Sequence, residues 1–329
     1  MDATGPASRS GLLLLLAAAL LGLGLLVLAA IGVIMIRQAD PARRDGPDYV
    51  TAARFAALPA DPEPGPDAST GSWSSHCGRN TDGHYNADNV IVSPGKPGAA
   101  EHLHDYVSND ATDAGSTDAT LPSAGTTCTE GDRSSYFWPV LRLDQGTQDA
   151  ARADRRGVVV PSEVRITFSG NATGKVLAMP DFLRMTTGDA RAVLHAGSGS
   201  AGSLPQARWG CSGEAGRYTT HYPLCPAGQQ TVRTFDFPSC WDGSNTDSPD
   251  HRRHVVFPAG NGACPGATFP IPRLRITVSY ALPAGRPFSI DAIPGQHRAA
   301  ATDHGHFIDV MSAPLRAHLV DCINTGKHC

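Results

Sequence analysis

The chain has 329 residues and a formal net charge of -4, and its Lys and Arg residues never run longer than a pair. That balance leaves no basic footprint for a nucleic-acid partner, and without a P-loop no nucleotide partner is expected either. Gly (35) and Pro (26) are abundant while charged residues make up only 18%, which suits a loop-rich, mostly β domain better than a helical one.

Residues 1–10 form a short tail, and residues 11–36 are an unbroken Leu/Ala-rich apolar run. At about 1.5 Å per residue such a run spans a hydrocarbon core of ~30 Å. It exceeds the roughly 7–15 apolar residues of a cleaved signal peptide, and Met35-Ile36-Arg37-Gln38 does not resemble a small-residue cleavage site. We expect an uncleaved signal-anchor helix that crosses the cell membrane once. The flanking charges (Arg9 before the run; Arg37, Arg43 and Arg44 after it) favour the opposite orientation. The cysteines all lie beyond the run, and they place the C-terminal part outside. Residues 37–71 are rich in Pro, Ala and Asp and read as a stiff linker, with a short helix over Tyr49 to Leu58.

Residues 72–329 then read as one extracellular β-rich domain. Asn89-Val90-Ile91-Val92 reads as a short strand ended by the Pro/Gly turn from Ser93 to Gly98. Ser108 to Thr127 reads as a long surface loop. Tyr136 to Leu143 is an apolar aromatic strand, which Pro139 assigns to an edge or a bulge. Glu163 to Phe168 and Leu274 to Tyr280 alternate cleanly between apolar and polar residues; Thr231 to Phe237 and His254 to Phe257 are weaker strands. Two helices are expected, a short one near Asp181 to Arg184 and one capped by Ser312 with Pro314 in its first turn. Many alternating strands and few helices predict an antiparallel β-sandwich or jelly-roll-like single domain.

The eight cysteines are Cys77, Cys128, Cys211, Cys225, Cys240, Cys264, Cys322 and Cys329, with no CxxC among them. An even number without zinc-ribbon spacing reads as disulfides formed outside the cytoplasm. Short-range pairing gives Cys77–Cys128, Cys211–Cys225, Cys240–Cys264 and Cys322–Cys329. This is a choice of the nearest partners among the 105 pairings that eight cysteines allow.

Three polar clusters stand out: Glu101-His102-Leu103-His104-Asp105, Asp250-His251-Arg252-Arg253-His254, and Asp303-His304-Gly305-His306-Phe307-Ile308-Asp309. On a strand, His102 and His104 share one face. A divalent metal ion on His102, His104 and His306 is one reading, because neutral imidazole is a common ligand for zinc, copper, nickel or iron. The alternative is acid/base work on a sugar by His102, His104, Asp105, Asp250, Arg252 and His254. In that reading His104 or His254 is the base, Asp105 orients an imidazole and Arg252 holds an anionic sugar. Trp241, Asp242, His251 and Trp138 would bind the substrate, the tryptophans by stacking. A cupin site is excluded, since Lys96 stands where that pattern needs Gly. No G-x-S-x-G supports a serine nucleophile.

Several stretches together carry a family resemblance. They are Pro94-Gly95 followed by the residues from His102 to Asn109; Thr127-Cys128 with Asp132 to Pro139; Phe237-Pro238-Ser239-Cys240-Trp241-Asp242-Gly243; Asp247-Ser248-Pro249-Asp250-His251; His254-Val255; and Cys264-Pro265. The chain resembles family nineteen ninety-six of the domains of unknown function over about residues 72–322. Ala/Gly/Arg/Asp-rich usage fits a bacterial member anchored in the membrane. Ser108 stands where the family pattern often has Gly, and the stretch from His304 to Asp309 follows the family's ending only loosely. The resemblance implies a secreted or cell-surface protein working near a cell wall or extracellular polysaccharide, and it supplies no catalytic assignment. The expectation is a membrane-anchored extracellular domain that acts on or binds polysaccharide through a His/Asp-rich cleft. The alternatives are a metal-binding surface protein without turnover and a disulfide-stapled adhesion domain.

Overall fold

A computed structural model describes residues 49–143, 155–195, 207–296 and 298–329. The expected membrane segment at residues 11–36 lies outside the described residues. Among those residues no helix is long and apolar enough to cross a membrane.

Ten strands make two five-stranded antiparallel sheets. In chain order they are β1 (Ser72–Ser75), β2 (Tyr85–Asn86), β3 (His104–Ser108), β4 (Ser135–Pro139), β5 (Glu163–Ser169), β6 (Arg184–Gly188), β7 (Arg208–Cys211), β8 (Thr231–Asp236), β9 (Arg273–Tyr280) and β10 (His304–Ile308). The first sheet has the order β7-β8-β9-β5-β1 and the second β2-β3-β4-β10-β6. Alternation decides how the sheets meet. Phe168, Leu274, Ile276, Val278 and Phe235 form one face of the first sheet, and Val107, Tyr136, Trp138, Phe307 and Met185 form one face of the second. The two faces share one core: the rings of Phe168 and Phe307 are 6.1 Å apart, and those of Trp138 and Phe235 are 6.2 Å apart and stacked. The fold is a mostly β antiparallel sandwich.

The sheets differ on their outer faces. The first sheet presents Arg165, Arg275 and Asp236, as a half-solvated sheet should. In the second, β3, β4 and β10 are buried at every position. A second apolar cluster covers this face, with Val90, Ile91 and Leu121 from the loops packed on Tyr106, Phe137 and Ile308. Strands covered on both sides lose the polar alternation by which half-exposed strands are recognised.

All four short-range disulfides form: Cys77–Cys128, Cys211–Cys225, Cys240–Cys264 and Cys322–Cys329. The C-terminal helix spans Ala313–Asn324; Ser312 caps it by accepting the Leu315 N–H at 3.4 Å, and Pro314 occupies its first turn.

Several expectations need correction. Residues 49–71 do not form a free linker. Tyr49–Thr51 pairs with Tyr222–Leu224 and Ala56–Ala57 pairs with Arg217–Tyr218, so the helix expected over Tyr49 to Leu58 is reduced to a single 3-10 turn at Ala52–Arg54 between two short strands. Asn89 to Val92 is a turn, because the Asn89 side-chain oxygen accepts the N–H groups of Ile91 and Val92 and so competes with strand pairing. Pro139 does not mark an edge: β4 is the central strand, and the proline is tolerated as its last residue. The short helix falls at Ala192–His195 instead of 181–184, where the chain already enters β6.

Candidate metal centre

The site sits on the outer face of the second sheet, beneath its loop cover. Alternation sends His104 of β3 and His304 and His306 of β10 to the same face. The two strands flank β4, so the histidines converge across Phe137. His102 arrives from the loop just before β3. The four imidazoles are 4%, 0%, 3% and 2% exposed for His102, His104, His304 and His306.

Hydrogen bonds fix the tautomers of two of them. His104 Nδ1 lies 2.9 Å from the Asp88 carbonyl, and His304 Nδ1 lies 2.8 Å from the Thr302 carbonyl. A carbonyl only accepts, so each Nδ1 carries the hydrogen and each Nε2 presents a lone pair. Both lone pairs face the same atom: His102 Nε2 is 3.0 Å from His104 Nε2 and 3.1 Å from His304 Nε2. One neutral imidazole can bring at most one hydrogen to the meeting of three nitrogens, which leaves at least two lone pairs turned inward. A cation at the centre satisfies all three. Zinc–nitrogen bonds of about 2.0–2.1 Å in tetrahedral geometry space the nitrogens roughly 3.3 Å apart, close to what is found.

Protonation favours the same outcome. Burial pulls His102 down to about 4, although Asp291, the Ala100 carbonyl and Glu101 favour its charged form. Burial, and then the neighbouring imidazoles, hold His104 and His304 well below the usual histidine range. At neutral pH all three are therefore in the neutral, ligating form. Nitrogen ligands with no thiolate or carboxylate among them select zinc, copper, nickel or iron over calcium or magnesium.

The support around the trio is well built. Asp88 binds the Gly98 N–H at 2.6 Å and the Ala114 N–H at 2.8 Å through its carboxylate, and its carbonyl holds His104 and the Tyr106 hydroxyl. Arg142 grips Asp291 with two bonds of 2.6 and 3.0 Å, and Asp291 accepts the N–H of Leu103, between His102 and His104. The fully buried Arg233 donates to the Pro139 carbonyl at 2.8 Å and to Asp303 at 2.7 Å. Pro139 ends β4 opposite His104 and Asp303 precedes His304, so one guanidinium ties the end of β4 to the start of β10. Such outer contacts orient ligands and carry much of a site's affinity.

His304 and not His306 completes the trio. His306 shares the face, but its Nδ1 is bound to Thr186 Oγ1 and its Nε2 to the Asn89 amide, both at 3.0 Å. Asp105 points the other way, into the sandwich, where Asn80 donates to it at 2.6 Å and burial raises its carboxyl to about 7. It therefore orients no imidazole of the cluster. Trp138 is fully buried against Phe235 and offers no stacking surface.

The block from 241 to 254 folds against β6 and serves mainly itself. Asp242 accepts the Ser244 and Asn245 N–H groups and Trp241 donates to the Asn245 carbonyl, closing a turn. Asp250 is exposed and caps the N–H groups of Arg252 and Arg253. His254 is buried with Nε2 on the Arg184 carbonyl and Nδ1 on Ser248, so it has no free nitrogen for a base. Arg252 donates to the Gly188 carbonyl at 2.6 Å, and the half-buried His251 binds Asp247. Burial holds His306 well below the usual histidine range, and from this block only Arg252 and His251 add to that depression. Neither joins the trio, and the expected His/Asp cleft is absent among the described residues. No motif marks Asp88, Asp291 or Arg142, because their roles depend on contacts up to 188 residues apart.

A family model described as a domain of unknown function (DUF1996) matches residues 89–308, which include all three ligand candidates. No curated protein and no solved structure matches the chain.

Proposed function

The chain belongs to the DUF1996 domain family, and we propose that this member is an exported, disulfide-stapled metalloprotein whose His102, His104 and His304 hold one transition-metal ion. The observation that carries the reading is the convergence of three Nε2 atoms, two of them with their Nδ1–H groups committed to backbone carbonyls. Zinc or copper fits the ligand set best. Three protein nitrogens leave a fourth position for water or a small ligand. The oxidised state of all eight cysteines supports an exported domain. Membrane anchoring rests on the apolar run at residues 11–36. Burial of the trio favours ion storage or small-molecule chemistry over polysaccharide cleavage, since among the described residues a layer of loops covers the three imidazoles.

Elemental analysis of untagged protein tests the reading. About one equivalent of zinc or copper is expected, lost in His304→Ala and kept in His306→Ala. A metal-free protein that takes up neither ion would overturn it.

A further inference from the structure

A large cavity lies on the opposite side of the sandwich from the histidines. It is a groove of about 850 Å³ over the outer face of the first sheet, between the segments at residues 58–64 and 257–262. Its size is that of a ligand site rather than of a packing defect. We infer that this groove binds an anionic polysaccharide.

Charge is the first argument. Arg208, Arg273 and Arg275 share the groove with only two carboxylates, Asp61 and Asp236. Arg275 Nε donates to Asp236 at 2.6 Å, and Arg208 pairs with the same carboxylate. Asp236 therefore serves two guanidinium groups and leaves one positive charge in excess. Asp61 holds Arg273 only loosely, at 3.2 Å and from an exposed position. Among the described residues the two Nη groups of Arg275 and the hydroxyls of Tyr218 and Thr220 make no hydrogen bond. The groove thus offers forked cationic donors and hydroxyls suited to carboxylate or sulfate groups on a hydroxylated chain.

Rigidity is the second. The Asn171 amide donates to the Gly262 carbonyl at 2.8 Å, the Gly65 N–H to the Ala172 carbonyl at 2.8 Å, and Arg273 Nε to Ser169 at 3.2 Å. Cys240–Cys264 staples the chain beside one wall, and Pro59, Pro62 and Pro64 stiffen the other. A preformed groove loses little entropy on binding. The same features disfavour a peptide. The floor is made mainly of the interior strands β8, β9 and β5, whose backbone is already paired, with Arg208 added from the edge strand β7, and the proline wall has few N–H groups to offer an extended chain.

Calorimetric titration of the full chain would use polygalacturonate oligomers, heparin-derived oligosaccharides, neutral cello-oligosaccharides and polyglutamate. Binding of one or both anionic glycans is expected, weakening as salt rises; which of them binds identifies the anion as carboxylate or sulfate. Arg273→Gln/Arg275→Gln should weaken that binding at least tenfold with the thermal transition and the metal content unchanged. The salt dependence of the unaltered protein tests the charge argument even if that variant fails to fold. Binding to neither anionic glycan, equal binding of the neutral glycan or of polyglutamate, or a variant that binds as tightly as the parent would overturn the inference.

Discussion

Replacing Arg233 by Met should be among the most damaging single changes in this protein. The guanidinium and the Asp303 carboxylate are both fully inaccessible to solvent. Arg233 also lies over the rings of Phe235 and Trp209, at 4.8 and 5.3 Å. Met preserves much of the apolar stem but leaves Asp303 as a buried carboxylate without its partner. Breaking a buried pair from one side costs about 3–5 kcal/mol. Protonation of Asp303, which burial already pushes above the usual carboxylate range, limits the loss at low pH. Urea denaturation, read as a midpoint shift at constant slope, measures the cost. The double variant Arg233→Met/Asp303→Leu removes both charges and should recover at least half of it. A single-variant cost below about 1 kcal/mol, or a double variant no more stable than the single one, would refute the assignment of this pair as the buried tie between β4 and β10.

Three further outcomes follow from the geometry. Gly188 has φ +78°, and an added Cβ would stand 2.1 Å from the Asp303 carbonyl oxygen and 2.6 Å from His304 Cα. Gly188→Ala should therefore cost more than about 2 kcal/mol in thermal denaturation and impair metal retention as well. Removing Cys77–Cys128, which closes a separation of 51 residues, should cost roughly 4 kcal/mol by chain entropy, read by the same denaturation assay. In chelator, the buried histidines should make stability fall as pH drops from 7 towards 5. The four buried histidines are depressed and the unfolded chain takes up their protons near the ordinary value of about 6.5, so their stabilising contribution is present above that value and lost below it. Asp105 and Asp309, raised to about 7 by burial, act oppositely and favour the folded state as they gain protons. Asp132 and Asp303, also raised by burial, add to that opposing side, so the histidine part is read by difference: relative to His306→Gln, the parent should lose stability between pH 7 and pH 5, and parallel profiles of denaturation midpoint would contradict it.

Half-exposed elements were legible in the sequence. Glu163 to Phe168 and Leu274 to Tyr280 alternate because one face of the first sheet is solvated, and the structure extends each by one residue, to Ser169 and from Arg273. The second sheet was harder to read, since burial of both faces removes the alternation from β3, β4 and β10. The site was legible as three clusters and not as a ligand set. His304 and His306 have the same parity on one strand, and only the partners Asn89 and Thr186, 217 and 120 residues from His306, tell them apart. The 241–254 block is dense in titratable residues, yet most of them close its own turns, which residue types alone do not reveal.

The most direct measurement is X-ray absorption at the metal edge of zinc- or copper-loaded protein. Three imidazole nitrogens at about 2.0–2.1 Å, with a fourth light ligand, are predicted, unchanged in His306→Ala and reduced by one nitrogen in His304→Ala. A shell of six oxygens, sulfur ligation, or a spectrum insensitive to His304→Ala would contradict the assignment.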